Sequence, residues 1–177
     1  TFLAITIFLV IFSAAWSSRA GRHLDNPTDP RVATTLTDMG NLTARDMQLL
    51  RPRFHIQPPG GGWINDPNGL MQYRNMVHVF FQYNPYDAIW GPMHWGHVVS
   101  PDLVHWVHLP VALQPGDPWD RDGCWSGSAL LMDDGVPRLF YTGVTNFSQY
   151  GYYYQAQAVA LPADPADPFL TRWLKPA

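Results

Sequence analysis

Residues 69–83 read Gly69-Leu70-Met71-Gln72-Tyr73-Arg74-Asn75-Met76-Val77-His78-Val79-Phe80-Phe81-Gln82-Tyr83. This stretch contains two short strand candidates, Gly69–Tyr73 and Met76–Tyr83, and no helical period of apolar residues. Two more candidates follow, His94–Ser100 and Val104–Leu109, set off by Asn84-Pro85 and Ser100-Pro101-Asp102. A second group of four has the same order: Cys124–Met132, Pro137–Thr145, Tyr152–Leu161 and Leu170–Leu174. Asp133-Asp134-Gly135 and Asp164-Pro165 supply its turns. The groups echo each other. At an offset of 60, Leu70 falls on Leu130, Phe80 on Phe140 and Phe81 on Tyr141. After a slip of seven, Leu103-Val104-His105-Trp106 falls on Leu170-Thr171-Arg172-Trp173. A repeated unit of four strands is the signature of a β-propeller blade. The expected fold is therefore all-β, with two four-stranded blades side by side. The same offset puts Asp66 on Ser126, each at the start of an innermost strand. Propeller blades converge on that line.

Composition agrees with an ordered β-rich chain. Aromatic and charged residues each make up 14% of the 177 residues. That excludes disorder, which needs low hydrophobicity and high charge. A net charge of -3 gives no basic footprint for nucleic acid. All 14 acidic residues are aspartate. Cys124 is the sole cysteine, so no internal disulfide is possible, and a free buried thiol is expected. Residues 2–12 form an apolar run of signal-peptide length, too short for a membrane span, and Ala20 offers a cleavage point. The reading is a signal peptide over 1–20, with no stable membrane insertion after cleavage. An uncleaved signal anchor is the alternative. The chain opens on threonine without a basic leader, so its true start is expected further upstream. Two sequons, Asn41-Leu42-Thr43 and Asn146-Phe147-Ser148, fit secretory passage. Residues 21–50 read as a polar lead-in, a linker or short helix around 44–50, and 51–177 as a partial β-propeller, the candidate catalytic domain.

The densest chemical motif is Gly62-Trp63-Ile64-Asn65-Asp66-Pro67-Asn68-Gly69. In isolation it is good turn chemistry, with Asp66 as a cap. Its neighbours favour catalysis. Trp63, Trp90, Trp95 and Trp125 offer aromatic platforms, and Gln82, His97 and Ser126 offer hydrogen bonds to hydroxyls. A carboxylate beside such surfaces is what a glycosidase needs to meet positive charge at an anomeric carbon. His94-x-x-His97 and His105-x-x-His108 raise a metal site as another reading. Residues three apart on a strand point to opposite faces, which argues against chelation. No metal ligand and no cofactor is assigned.

Trp63-Ile64-Asn65-Asp66-Pro67-Asn68-Gly69 closely resembles the nucleophile motif of glycoside hydrolase family 32. Phe80-Phe81-Gln82-Tyr83-Asn84-Pro85, Trp95-Gly96-His97-Val98-Val99-Ser100, Trp125-Ser126-Gly127-Ser128-Ala129 and Phe140-Tyr141-Thr142-Gly143 resemble its next blocks in order. Plant-type acid invertases and their fructan-active relatives are the nearest likeness. The resemblance implies a five-bladed propeller followed by a β-sandwich, and a retaining cleavage of a fructosyl unit from sucrose or fructan. It implies Asp66 as nucleophile, Asn65, Gln82, Trp90 and Ser126 as sugar contacts, and Trp63 and Trp125 as shapers of the pocket. It implies residence in the cell wall or vacuole.

The chain departs from the family pattern in one respect. The family's stabilising Asp lies in an Arg-Asp-Pro motif and its acid/base Glu in a Glu-Cys motif. Arg45-Asp46-Met47 and Arg121-Asp122-Gly123 lack the proline, and no glutamate occurs. The expectation is a truncated chain holding the first two blades, inactive by itself. A sugar-binding module without catalysis is the alternative.

Overall fold

The computed structural model describes residues 43, 49, 51–148 and 151–176. The signal-peptide segment, the first sequon's Asn41 and nearly all of the polar lead-in lie outside the described residues. Of the helix expected around 44–50, Leu49 alone is described, and it is helical. A single 3-10 turn, Pro59–Gly61, precedes eight strands. These are β1 (Trp63–Tyr73), β2 (Met76–Asn84), β3 (His94–Ser100), β4 (Val107–Leu113), β5 (Gly123–Leu131), β6 (Pro137–Thr145), β7 (Tyr154–Pro162) and β8 (Trp173–Leu174). They form two antiparallel sheets in sequence order, β1-β2-β3-β4 and β5-β6-β7-β8. Each sheet is a meander of the kind that makes one propeller blade.

The offset of 60 is a register relation. Trp63 pairs with Asn84 and Gly123 with Val144; Asn68 pairs with Phe80 and Ser128 with Phe140. Side chains alternate in direction along a strand, so neighbouring positions on β2 serve different layers. Phe80 enters the core between the blades with Trp95, Leu113, Leu139, Tyr141 and Trp173. Val79, Phe81 and Tyr83 form a second cluster with Val98, Ile56, Ile64 and Trp106. Both faces of β2 are thus covered, which is why Val79–Asn84 are all buried. Tyr141, the image of Phe81, faces blade 1 from blade 2. Each blade therefore presents opposite faces to its two sides, as stacking of like units requires.

Several strand boundaries differ from expectation. The largest departures are at β1, at both ends of β4, which runs on to Leu113 and not Leu109, and at β8, which starts at Trp173 and not Leu170. Strand β1 begins at Trp63, six residues before Gly69, because the Asn-Asp-Pro-Asn run is absorbed into the strand. Register shifts between Ile64 and Pro67 and between Asn68 and Met71 take up the misfit. Pro67 lacks an N–H, but β1 is an edge strand, where proline is tolerated. Strand β4 starts at Val107 and not Val104. Asp102 Oδ1 accepts from the backbone N–H groups of Val104 and His105, and Ser100 Oγ from that of Leu103, holding 101–105 as a capped turn. Asp167 does the same before β8, accepting from Phe169 and Thr171. The matching leucines, Leu103 and Leu170, both sit at positive φ, 66° and 48°. The Leu-x-x-Trp echo is thus a turn followed by a strand start. Strand β7 also begins two residues later than expected, at Tyr154.

Non-local polar contacts close the second blade. Lys175 Nζ lies 2.6 Å from Asp117 Oδ2 and 2.7 Å from Asp120 Oδ2, and donates to the Gln114 carbonyl at 2.7 Å. Asp120 is fully buried and also accepts from Tyr141 Oη at 2.7 Å. Cys124, buried and free, lies against the same carboxylate, and burial raises its thiol far above the ordinary range.

Candidate active site

Asp66 and Ser126 occupy equivalent places on β1 and β5, each at a register shift. A bulge inserts an unpaired residue and re-aims its side chain, so bulges recur beside active sites. Here both side chains turn toward the line where the innermost strands meet. Ser126 Oγ donates to Asp66 Oδ2 at 2.7 Å. That bond, opposed by modest desolvation and helped by Asn65, holds the Asp66 carboxyl below its ordinary value. Asp66 is therefore an anion at neutral pH, open to solvent.

The surrounding scaffold fixes this pair across the blade boundary. Gln82 Nε2 donates to the Cys124 carbonyl at 3.1 Å, and Trp95 Nε1 to the Trp125 carbonyl at 3.0 Å. The Cys124 N–H donates to the Met93 carbonyl at 2.8 Å, and the Gly127 N–H to Asn68 Oδ1 at 3.3 Å. Residue 127 must be glycine at this crossing, because a Cβ there would lie 1.9 Å from the Phe140 carbonyl oxygen. Four hydrogen bonds from one blade to the other thus bracket Ser126. Their geometry sets the distance to Asp66.

A cavity of about 250 Å³ opens above the pair, lined by Asn65, Asp66, Gln82, Trp90, Met93, Trp125, Ser126, Thr142 and Gln155. Six of the seven residues that the resemblance assigned line it. The seventh, Trp63, stands behind the wall: its Nε1 donates to Asn65 Oδ1 at 2.7 Å and orients that amide. Trp95 and His97, raised from sequence as a platform and a hydroxyl partner, do not line it: Trp95 is buried in the core between the blades and His97 is buried against His78. Sequence reasoning missed Met93, Thr142 and Gln155. Thr142 had a signal, since it is the image of Gln82 under the 60-residue offset. Its Oγ1 donates to the Ser126 carbonyl at 3.1 Å. Gln155 lies on an outer part of β7 and carries no motif. Among the described residues, Asp66 is the one carboxylate lining the cavity. Three of the four histidines raised as metal ligands have separate partners. His94 Nδ1 meets the Pro92 carbonyl at 2.8 Å, His97 Nε2 meets His78 Nδ1 at 3.0 Å, and His105 pairs with Asp102.

The cavity therefore offers an ionised carboxylate, two hydroxyls, three amides and two indole rings. Aromatic faces with a few convergent polar groups suit a sugar ring. Comparison with known proteins agrees. The model of the glycosyl hydrolases family 32 N-terminal domain matches residues 55–176. A β-fructofuranosidase, cell wall isozyme, of Zea mays is 48% identical over 174 residues, 98% of this chain and 27% of the relative. The β-fructofuranosidase insoluble isoenzyme 1 of Oryza sativa subsp. indica is 47% identical over 129 residues, 73% of this chain and 22% of the relative. Among solved structures, fructan 1-exohydrolase IIa from Cichorium intybus superposes with a TM-score of 0.65 at 44% identity, covering 73% of this chain and 23% of that one. The same enzyme has been solved in complex with 1-kestose. The chain spans about a quarter of the length of the curated relatives it matches. With two propeller blades, the ordered motifs and a family match over most of its length, the chain belongs to glycosyl hydrolase family 32.

Proposed function

We propose that the chain carries the nucleophile half of a retaining fructosyl hydrolase, with Asp66 attacking C2 of a terminal fructosyl unit of sucrose or a fructan. The observation that supports this best is the ionised Asp66 carboxylate, held by Ser126 at 2.7 Å on the floor of an aromatic cavity. A nucleophile must be deprotonated at working pH, and a serine hydroxyl donating to the anion keeps it so. In the proposed step, the Asp66 oxygen bonds to C2 and the glycosidic C2–O bond breaks. An acid protonates the departing oxygen. Water then cleaves the fructosyl ester with that residue acting as base. Asn65, Gln82 and Ser126 hold the fructosyl hydroxyls, Trp90 and Trp125 pack on its apolar faces, and Trp63 keeps Asn65 in place.

A retaining mechanism needs a second carboxyl group about 5 Å from the first. The cavity has no such group among its described residues, and the sequence has no glutamate. The reading therefore assigns the acid to a part of the whole enzyme other than this chain. The same observation favours a second reading for the 177 residues alone, which is sugar binding without cleavage. Residues 1–20 fit delivery into the secretory pathway, and the sequons at Asn41 and Asn146 fit glycosylation there. The test uses the full-length enzyme. Asp66→Ala is expected to abolish fructose release from sucrose and 1-kestose while circular dichroism and the thermal midpoint stay unchanged. Retention of more than a few per cent of activity would overturn the assignment.

A further inference from the structure

A second cavity of about 350 Å³ lies on the other side of Trp90, lined by Trp90, Gly91, Pro92, Arg121, Asp122 and Phe147. Trp90 is the wall that it shares with the cavity over Asp66. Four rings touch around this wall. Trp90 meets Trp125 edge-on at 6.0 Å and Phe147 at 5.6 Å. Tyr153 lies 4.9 Å from Trp125 and stacks on Phe147 at 5.9 Å and 26°. Trp90, Phe147 and Tyr153 are 45%, 43% and 39% exposed. Single exposed apolar residues are ordinary, but contiguous exposed rings at a cavity rim mark a binding surface.

Phe147 and Tyr153 belong to the connection from β6 to β7, and hydrogen bonds tie down its described residues. The Phe147 N–H donates to Asp122 Oδ2 at 3.0 Å, and Arg121 Nη2 donates to Asn146 Oδ1 at 3.0 Å. Asn146 takes φ 57°, which turns the chain. The Ser148 N–H donates to the Tyr152 carbonyl at 2.9 Å, and the Tyr152 N–H returns to Ser148 Oγ at 3.2 Å. The two rings are thus positioned by hydrogen bonds behind them and not by burial, which leaves ring surface open. Arg121 and Asp122 stand at the edge of the same cavity with charged groups suited to hydroxyls.

We propose that Phe147 and Tyr153 form a stacking platform for a saccharide unit beyond the scissile bond, selecting fructosides of three or more units over a disaccharide. This rests on the reading of Asp66 as the fructosyl site. A fructosyl ring over Asp66 leads past Trp90 to the second cavity, where the next units lay their C–H faces on Phe147 and on Tyr153 stacked beside it outside the cavity lining. Arg121 and Asp122 then take hydroxyls at the edge. A disaccharide is too short to use the whole surface.

The test uses the full-length enzyme with Asp66→Asn to stop turnover, titrated with sucrose and with 1-kestose by calorimetry. Combined Phe147→Ala and Tyr153→Ala changes are expected to weaken 1-kestose binding about tenfold and sucrose binding by about twofold at most, the loss typical of truncating a stacked aromatic anchor. Phe147→Tyr keeps the ring and is expected to retain affinity for 1-kestose, which separates loss of the platform from loss of the loop. Equal weakening of both sugars, or no change in either, overturns the platform. If neither sugar binds before the platform is altered, the Asp66 reading itself fails, and the platform with it.

Discussion

Replacing Ser126 by alanine removes the hydrogen bond that keeps Asp66 ionised, and the size of the effect can be worked from its geometry. A hydroxyl donating to a carboxylate at 2.7 Å is a short, charge-assisted contact. Hydrogen bonds to charged groups contribute about 1.5–3 kcal/mol where solvent does not compete. Asp66 is exposed, so water can replace much of the lost bond. About 1 kcal/mol is left as the difference, about a fivefold change in an equilibrium constant. The sign follows from the direction of the shift. Ser126 lowers the Asp66 pKa, so its removal raises it, and the nucleophile then protonates at higher pH. In the full-length enzyme the acid limb of kcat/KM, which reports groups of the free enzyme, is expected to move to higher pH in Ser126→Ala. The carboxyl carbon of Asp66, followed by NMR and assigned by its loss in Asp66→Asn, should show the same displacement without substrate. An unmoved acid limb together with an unmoved carboxyl titration would refute the account of Ser126 as the group that poises Asp66.

Further outcomes concern stability. Asp120→Ala leaves the Tyr141 hydroxyl facing a buried gap while Lys175 keeps Asp117 and the Gln114 carbonyl, and is expected to cost about 1–3 kcal/mol by chemical denaturation, as for a buried donor left unsatisfied. Burial pushes the Asp120 carboxyl up, but Lys175 and Tyr141 outweigh it and hold it low, so its contribution is present above the unfolded carboxylate range and lost as pH falls through the lower folded value. Acidification should also act through His78, whose burial lowers its pKa to about 4. It shares one nitrogen-to-nitrogen contact with His97, itself held well below the ordinary value by burial; both face Asp167, and His78 also faces Tyr73. The unfolded chain binds protons that the folded one refuses, so stability is full above about pH 6.5 and declines toward about pH 4, by about 3 kcal/mol for His78. Phe or Leu at 78 and 97 together should flatten that slope, and an unchanged slope would assign it elsewhere.

Much of the architecture was legible because repetition is a one-dimensional signal. Phe80 and Phe140, and Asp66 and Ser126, needed only an offset of 60, which the registers of the first two strands of each blade keep, and the two Leu-x-x-Trp strings needed a further slip of seven. The extent of β1 was hidden because Asn-Asp-Pro-Asn-Gly has the composition of a turn, and only pairing with β2 shows that it is a bulged strand. The start of β4 was hidden by a side chain capping the backbone three residues later, which has no periodicity. Inter-blade bonds were invisible for another reason. Gln82 and Trp95 donate to backbone carbonyls on another blade, and a carbonyl has no residue identity to read. The Lys175 contacts with Asp117 and Asp120 span more than 50 positions and follow from packing alone. Within the site, Thr142 could have been found by applying the offset to Gln82, whereas Gln155 could not.

The central claim is that Asp66 forms the covalent bond to the sugar. The most direct measurement is a rapid acid quench of the full-length enzyme turning over a fructosyl donor, followed by proteolysis and mass spectrometry. The account predicts one added fructosyl unit on the peptide containing Asp66, absent in Asp66→Ala. A fructosyl adduct on a different carboxylate, or an Asp66→Ala enzyme that still accumulates one, would contradict it.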